Sequence, residues 1–298
     1  MNKNFSEIII YNKNSASKFG WSPDWFEAKF FDTLLIFSIK KWQKEYGLKP
    51  DGLVGPLTFR RKFTERESNI SFFRKKSDSK KNTSIVWNGH LIDIKWPVVL
   101  WDEKDGLKCR KGSYIEQING KRDISFFVNH WDACLSSKSC SKIMEKRNLS
   151  VHWCIDNDGT IYQLLDANHI AFHAGKKKWN KKSVGVEISN AYYLKYNNWY
   201  EKNGFGKRPI MKNVEVHGVK LEDHLGFYKI QLLALKALIK GMVELGIELK
   251  APLNSEGELI EKVSDECAAG SFKGVINHYN LTRRKIDCAG LDLKSLVK

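Results

Sequence analysis

The segment ISFFVNH, residues 124–130, sets the fold class of this sequence, because it is a short apolar run that ends in a polar residue. Such a run predicts a buried strand. Two segments of the same kind lie further along the chain: SVGVEIS (183–189) and GVINHYN (274–280). A longer segment, LSVHWCIDNDGTIYQLLD (149–166), predicts two strands joined by a turn at Asn157-Asp158-Gly159.

The residues around these strands supply a hairpin and a long helix. Asn88-Gly89 lies between the apolar runs of SIVWNGHLIDI (84–94), which is a strong hairpin signal. Residues 226–247 carry apolar side chains at helical spacing, from Phe227 through Leu238 to Leu245. Strands that alternate with helices predict an α/β domain, which we expect over residues 84–298.

The N-terminal region has a different pattern. Residues 25–46 predict an amphipathic helix that ends at Gly47, and a second short helix is expected after Pro56. Residues 60–82 carry nine Lys or Arg against three acidic residues, with scattered serines, which is typical of a solvated segment. We therefore predict a helical domain over residues 1–70 and a basic linker over residues 71–83.

The chain of 298 residues contains 50 Lys and Arg against 34 Asp and Glu, a net charge of +16. This surplus favours a polyanionic partner: nucleic acid, an anionic membrane or an anionic cell wall. No zinc-finger spacing, recognition-helix signature or RNA-binding motif supports nucleic acid, so we expect no such partner. No apolar run approaches the roughly 20 residues of a membrane span, and the apolar stretch at residues 8–10 is too short for a signal peptide.

Six cysteines are too few for a disulfide scaffold, and most are expected to be reduced thiols that pack as small buried side chains. Cys288 differs, because it follows His278 by ten positions and stands next to Asp287. Together with His130, at the end of its strand, these residues offer two imidazoles and one thiolate or carboxylate. That donor set, with one position left for water, is the layout of a catalytic zinc site.

The N-terminal helices carry a motif that resembles the small peptidoglycan-binding domain found on many wall hydrolases. The resemblance implies that this domain binds glycan, with Trp42 and Tyr46 offering flat apolar faces to the sugars. Packing in a small core is the alternative for both aromatic residues. The motif consists of Ile39, Gln43, Tyr46-Gly47-Leu48, Asp51-Gly52, Gly55-Pro56 and Thr58.

Five segments in the rest of the chain resemble, in order, the landmark segments of zinc N-acetylmuramoyl-L-alanine amidases. That family includes phage endolysins and bacterial wall-recycling enzymes, and it shares its fold with peptidoglycan recognition proteins. The resemblance implies a central mixed β-sheet flanked by helices, a Zn²⁺ cofactor and peptidoglycan as the substrate. The segments are FFVNHWDAC (126–134), LSVHWCIDNDGTIYQL (149–164), IAFHAG (170–175), SVGVEIS (183–189) and NHYNLTRRKIDCAG (277–290).

The resemblance also implies the metal ligands. His130, His278 and Cys288 stand at the positions of the three zinc ligands. Phage members commonly continue the cysteine ligand with proline, whereas this sequence has Ala289. Other members use an aspartate as the third ligand, so Asp287 is the alternative to Cys288.

Two further positions complete the implied catalytic set. Glu187 stands where wall-recycling members keep a carboxylate that takes a proton from the attacking water. Some phage members use a tyrosine instead, but that position is Val151 here. Lys285 is expected to stabilise the oxyanion. The family keeps this lysine two residues before the last ligand, and Lys285 stands three before Cys288 and two before Asp287.

The implied reaction is hydrolysis of the amide bond between N-acetylmuramic acid and L-alanine. His152 and His173 are expected to line the substrate cleft, with a packed structural role as the alternative for His152. A wall-binding domain without a signal peptide fits a monomeric phage endolysin that stays in the host cytoplasm until holin-dependent release, or one carried on the virion.

Two other functions compete with this one. A non-catalytic peptidoglycan recognition protein on the same fold would typically lack a full ligand set, which this chain keeps. A glycosidase would need two catalytic carboxylates about 5–10 Å apart, and no such pair stands out in the sequence.

Overall fold

The computed structural model describes residues 4–68 and 82–298, and these two ranges belong to separate structural units. The predicted linker over residues 71–83 lies outside the described residues, except for its last two positions, which begin the first strand. Within the described ranges, every helix is too short or too polar to cross a bilayer.

Residues 4–68 form a helical unit. The helix predicted over residues 25–46 begins only at Thr33, because the Asp32 carboxylate accepts a hydrogen bond from the Leu35 amide at 3.0 Å and caps the helix there. The elements are α1 Phe5–Phe19, a 3₁₀ helix Pro23–Phe26, α2 Thr33–Glu45 and α3 Pro56–Ser68.

A buried glutamine holds the loop between α2 and α3. Gln43 is 1% exposed; its Nε2 donates to Asp51 Oδ1 at 3.0 Å and its Oε1 accepts from the Gly52 amide at 2.8 Å. Gly52 has a φ of +77°, and a Cβ at this position would lie 2.8 Å from Cγ2 of Ile36. These motif residues therefore shape the loop, which accounts for their close spacing in the sequence.

Residues 82–298 alternate strands and helices, and the hairpin at Asn88-Gly89 and the turn at 157–159 lie where they were predicted. The strands are β1 Asn82–Trp87, β2 His90–Leu100, β3 Tyr114–Ile115, β4 Phe126–Trp131, β5 Trp153–Ile155, β6 Ile161–Gln163, β7 Ile170–Ala171, β8 Ser183–Ile188, β9 Ile210–Met211, β10 Glu215–Val216, β11 Val219–Lys220, β12 His224–Leu225 and β13 Gly274–Asn277. The α-helices are α4 Ser137–Arg147, α5 Lys177–Lys182, α6 Asn197–Lys202, α7 Lys229–Gly241, α8 Asp265–Ala269 and α9 Leu293–Leu296, and 3₁₀ helices lie at Leu194–Tyr196, Met242–Leu245 and His278–Asn280.

The central sheet of this unit has seven strands in the order β1-β2-β6-β5-β8-β4-β13. The pairs β5–β8, β8–β4, β4–β13 and β2–β6 are parallel, whereas β1–β2 and β5–β6 are antiparallel. The expected mixed sheet flanked by helices is therefore confirmed.

The two faces of the sheet pack against different cores. On β4, Phe127 and Trp131 belong to the large core that contains the apolar face of α7, whereas Phe126 and Val128 belong to a second core on the opposite face. Because successive side chains alternate along a strand, His130 lies on the face of Phe126 and Val128. The candidate site forms on that face.

Candidate active site

The carboxyl ends of two neighbouring strands bring the predicted histidines together. His130 lies near the end of β4, and His278 directly follows β13, which pairs with β4 in parallel. Parallel strands end at the same edge of a sheet, so both imidazoles reach one point. The chain then turns back, and the Tyr279 amide donates to the Asp287 carbonyl at 3.1 Å, which places Asp287 beside both histidines.

The Asp287 carboxylate is the meeting point of this cluster. Its Oδ2 lies 2.9 Å from Nδ1 of His278 and 3.1 Å from Nδ1 of His130. All three residues are buried, and their ligand atoms lie within 4.8 Å of one another. Two imidazole nitrogens and one carboxylate oxygen are a donor set that zinc accepts.

The hydrogen bonds behind His130 show which of its nitrogens is free to bind a cation. Ser183 Oγ donates to the Trp179 carbonyl at 2.8 Å, so it accepts from Nε2 of His173 at 3.2 Å. Neutral His173 then presents an unprotonated Nδ1 to Nε2–H of His130 at 3.0 Å. In neutral His130 the Nδ1 lone pair consequently faces the Asp287 carboxylate, an arrangement that a cation between them would satisfy.

The pKa values of these groups follow from their burial and mutual contact. Burial lowers the pKa of His130 to about 4, and the neighbouring His278 acts in the same direction. Burial alone would raise the pKa of Asp287, but His278, His130 and Lys285 together hold it well below its usual range. A neutral imidazole beside an ionised carboxylate is the protonation state that metal binding requires.

The structure does not bring Cys288 to this cluster, in contrast to the expectation that it is the third ligand. Its side chain is fully buried in the large core on the other face of the sheet. Burial, followed by the nearby Asp287 and Glu187, raises the pKa of the Cys288 thiol well above its ordinary value. Asp287, the alternative that the sequence left open, is the residue that lies with the two histidines, and Lys285 stands two residues before it.

Glu187 lies next to the cluster on the adjacent strand. It is the register partner of His130 across the parallel β4–β8 pair, and of Cys154 across β5–β8. Register partners in a sheet project to the same face, so Glu187 shares the face of His130. Its side chain is half-buried, and one carboxylate oxygen, Oε2, is enclosed by the protein.

Lys285 lies on the loop that leads into Asp287, with its side chain exposed. Its charge contributes to lowering the pKa values of both Asp287 and His130, so it stands within electrostatic range of the cluster. His217, at the tip of the β10–β11 hairpin, donates from Nε2 to the Lys285 carbonyl at 2.8 Å. No motif in the sequence pointed to His217, because this contact joins residues 68 positions apart.

The aromatic and basic segment 191–222 is anchored by Arg208. This residue is 2% exposed, and its guanidinium lies 4.2 Å from the ring centroid of Tyr200 and 4.3 Å from that of Tyr228. It also donates to the carbonyls of Ser189 at 2.7 Å and Gly226 at 3.0 Å. The segment is therefore fixed to the end of β8, and from there its hairpin reaches the Lys285 loop.

His152 lies behind the cluster instead of lining an open cleft, whereas His173 is half-buried and contacts His130. His152 is fully buried; its Nδ1 accepts from the Gly185 amide at 3.1 Å, and its Nε2 lies 3.0 Å from the His169 carbonyl. This is the packed structural role that was the alternative for His152. His173 orients His130, and it fits only because residue 185 is glycine: a Cβ there would lie 2.5 Å from Nδ1 of His173.

In the helical unit, Trp42 packs in the core. It is 6% exposed, stacks on Tyr46 with ring centroids 4.1 Å apart, and contacts Phe26 edge-on. Its indole N–H donates to Glu65 Oε2 at 2.6 Å. Tyr46 is half-buried. The ring faces of Trp42 and Tyr46, which were expected to contact sugars, thus pack largely against other side chains of the helical unit. This is the core-packing alternative.

The family model described as N-acetylmuramoyl-L-alanine amidase matches residues 120–287, which include every member of the cluster. No curated protein matched the chain.

Solved structures with a similar fold come from several sources. AmpDH3 from Pseudomonas aeruginosa, in complex with anhydromuramic pentapeptide, is 19% identical with a TM-score of 0.38; the match covers 64% of this chain and 65% of that one. The endolysin amidase LysCS from Clostridium intestinale is 13% identical with a TM-score of 0.36, covering 67% and 91%. The Ph2119 endolysin of a Thermus scotoductus bacteriophage is 14% identical with a TM-score of 0.35, covering 67% and 96%. The match therefore spans just under two thirds of the length of AmpDH3.

Proposed function

Because this chain belongs to the N-acetylmuramoyl-L-alanine amidase family, we propose that it is a zinc-dependent hydrolase of the bond between N-acetylmuramic acid and L-alanine in peptidoglycan. The observation that carries the proposal is the convergence of His130, His278 and Asp287 on one point, with Glu187 beside them on the same face of the sheet. A non-catalytic recognition protein would have no need of this combination.

His130 Nδ1, His278 Nδ1 and Asp287 Oδ2 would hold the zinc ion, with Asp287 in place of the expected Cys288. When bound, zinc supplies a Lewis acid that polarises the scissile carbonyl and lowers the pKa of a water molecule to about 7. His173 keeps His130 in the tautomer that directs its Nδ1 to the ion, a task that supporting hydrogen bonds commonly perform at zinc sites.

Glu187 would act as the general base and then as the general acid. Its carboxylate takes a proton from the attacking water as the oxygen bonds to the lactyl carbonyl carbon, and it passes that proton to the alanine nitrogen as the C–N bond breaks. Lys285 would lie beside the carbonyl oxygen while negative charge develops there. The products are a muramic acid carboxylate and a stem peptide with a free amino terminus.

The helical unit would hold the enzyme on the wall, as its motif suggests. The net charge of +16 supports adsorption to an anionic polymer through long-range attraction. This combination fits a cell-wall lytic enzyme of the phage endolysin type, acting as a monomer after release to the wall or from the virion.

Product analysis on purified peptidoglycan, with and without a zinc chelator, tests the proposal. We expect new free amino groups without new reducing sugars, lost on chelation and restored by zinc. New reducing ends would identify a glycosidase instead. Retained wall binding without any cleavage would favour the recognition protein.

A further inference from the structure

A second group of metal-binding side chains lies close to the candidate active site, and the proposed mechanism does not use it. Asp132, Cys134 and Cys140 are all buried, with exposures of 3%, 1% and 3%, and their ligand atoms lie within 4.8 Å of one another. The fully buried thiol of Cys154 interacts directly with that of Cys140. Three sulfurs and one carboxylate thus share one small buried region.

The four residues come from three different elements. Asp132 and Cys134 follow β4, Cys140 lies in α4, and Cys154 lies in β5. Cys154 is also the register partner of Glu187 on the neighbouring strand, so it lies beside the proposed general base on the same face of the sheet. A ligand bound by all four would tie α4 to the sheet at this point.

The Asp132 carboxylate is fixed in place by hydrogen bonds but retains acceptor capacity. Oδ1 accepts from the Cys134 amide at 2.9 Å and the Asn190 amide at 3.0 Å, while Oδ2 accepts from Ser189 Oγ at 3.1 Å. Oδ2 accepts this one hydrogen bond and has a second lone pair that could face a cation.

We propose that Asp132, Cys134, Cys140 and Cys154 form a second, structural zinc site. Structural zinc is held tetrahedrally by four protein ligands, and Zn–S bonds near 2.3 Å put the sulfurs about 3.8 Å apart. The ligand atoms of Asp132, Cys134 and Cys140, within 4.8 Å of one another, would need to close in by about 1 Å, and the Cys154 thiol, which contacts Cys140 but lies outside that group, would have to approach further. Three thiolates suit zinc, whereas a site for Mg²⁺ or Ca²⁺ would be built from oxygens.

Binding at this site exchanges protons for the metal ion. The Cys134 thiol donates to the Asp132 carbonyl at 3.2 Å, and this proton, together with those of Cys140 and Cys154, leaves to solvent as three Zn–S bonds form. No oxidant or reductant is required. The site is independent of the amidase proposal, because it shares no ligand with the His130 cluster.

Metal content of the full-length chain, purified in a non-thiol reductant, tests the inference. After refolding with Zn²⁺ and dialysis, elemental analysis should give one zinc per chain less in Cys140→Ser than in the parent. Cys154→Ser should lose the same equivalent. The matched control is Cys267→Ser, because Cys267 is also fully buried but lies in α8 and packs in the core that contains Phe126 and Val128, and this variant should retain the full complement.

A cysteine variant could lose zinc simply because it misfolds, so a second measurement uses chains that keep all four proposed ligands. Refolding with Co²⁺ should produce an intense near-ultraviolet sulfur-to-cobalt band in the parent, in Asp287→Asn and in Cys288→Ala. Equal zinc content in the parent and Cys140→Ser, or no sulfur-to-cobalt band, would overturn the proposal. So would a Cys134–Cys140 disulfide found by mass spectrometry after alkylation without reduction. None of these readouts depends on amidase activity, so either proposal can fail alone.

Discussion

His130 and Glu187 are register partners on adjacent parallel strands, so the proposed metal ligand and the proposed proton acceptor project from the same face of the sheet at the same level. Their relative position is set by backbone pairing in the centre of the unit, where both strands are flanked by further strands. A site built on paired strands holds its geometry better than one built on loops.

The first prediction concerns Glu187→Gln, which keeps the shape of the side chain but removes the proton acceptor. We expect turnover of peptidoglycan to fall by about 10²–10⁴-fold, the usual contribution of a general base. Zinc content should stay at the parent level, because Glu187 is not a ligand. Turnover equal to the parent would remove Glu187 from the mechanism.

The second prediction separates the two neighbouring candidates for the third ligand. Asp287→Asn should lose one zinc equivalent and nearly all activity, since the amide is a far weaker ligand than the carboxylate. Cys288→Ala should retain both the metal and most activity and lose only stability, because its sulfur packs in the large core. Metal analysis of the two purified variants decides between them, and the opposite pattern would restore Cys288 as the ligand.

The adjacent pair Asp287-Cys288 also shows where sequence reasoning reached its limit. Strand patterns located β4, β8 and β13, and hence His130, Glu187 and His278, because short apolar runs have few alternative interpretations. Residues 281–287 have no such periodicity. Which of two consecutive side chains faces the histidines depends on how this loop closes, and the Tyr279–Asp287 backbone hydrogen bond that closes it is visible only in three dimensions.

The same limit applies to residues whose roles arise from distant contacts. In the aromatic and basic segment 191–222, the anchor Arg208 and the contact residue His217 have no local signature in the sequence. In the helical unit, the sequence contains Asp32 as a possible N-cap, but the apolar spacing led to a predicted helix start at residue 25, whereas the helix begins at Thr33. A capping carboxylate was there the better guide to the boundary.

A third prediction concerns the hairpin contact with the Lys285 loop. Lys285→Ala should lower kcat by about 10²–10³-fold, the effect of removing one oxyanion-stabilising group. His217→Ala should give a smaller loss in kcat with KM and zinc content little changed, because it removes only the hydrogen bond that holds the Lys285 carbonyl. His217→Gln, which keeps a donor, should recover part of the rate. If His217→Ala lowered only thermal stability, the residue would be structural.

A fourth prediction follows from the close contact between Gly185 and His173. In Gly185→Ala the new Cβ would lie 2.5 Å from Nδ1 of His173, which would push this imidazole away from His130. We expect destabilisation of about 1–3 kcal/mol, as for other overpacked sites. Zinc affinity should fall by about 10–100-fold, as when a hydrogen bond supporting a ligand is lost.

The matched control for that variant is Gly55→Ala in the helical unit, where the nearest atom, Tyr11 Oη, lies 3.5 Å from the position that the new methyl group would occupy. It should leave zinc affinity at the parent level. Thermal unfolding and competition with a chelator measure the two effects. Unchanged zinc affinity in Gly185→Ala would show that His173 does not orient the ligand.

A fifth prediction concerns ionic strength. If the positive charge promotes adsorption to the wall, the bound fraction and the rate of lysis should both fall as salt rises, because the Debye length shortens from about 10 Å at 0.1 M to about 3 Å at 1 M. Hydrolysis of a small soluble muropeptide, which requires no adsorption, is the control and should change much less. Salt-independent binding to the wall would assign adsorption to short-range contacts instead.

The distance along the chain between the proposed ligands has a consequence for biosynthesis. Asp287 and His130 are 157 positions apart, and β13, which leads into His278, is among the last strands to be made. A nascent chain that has not reached residue 274 holds one of the three ligands and lacks an edge strand of the central sheet. The proposed amidase activity would therefore arise only late in translation, and incomplete chains would not hydrolyse the wall.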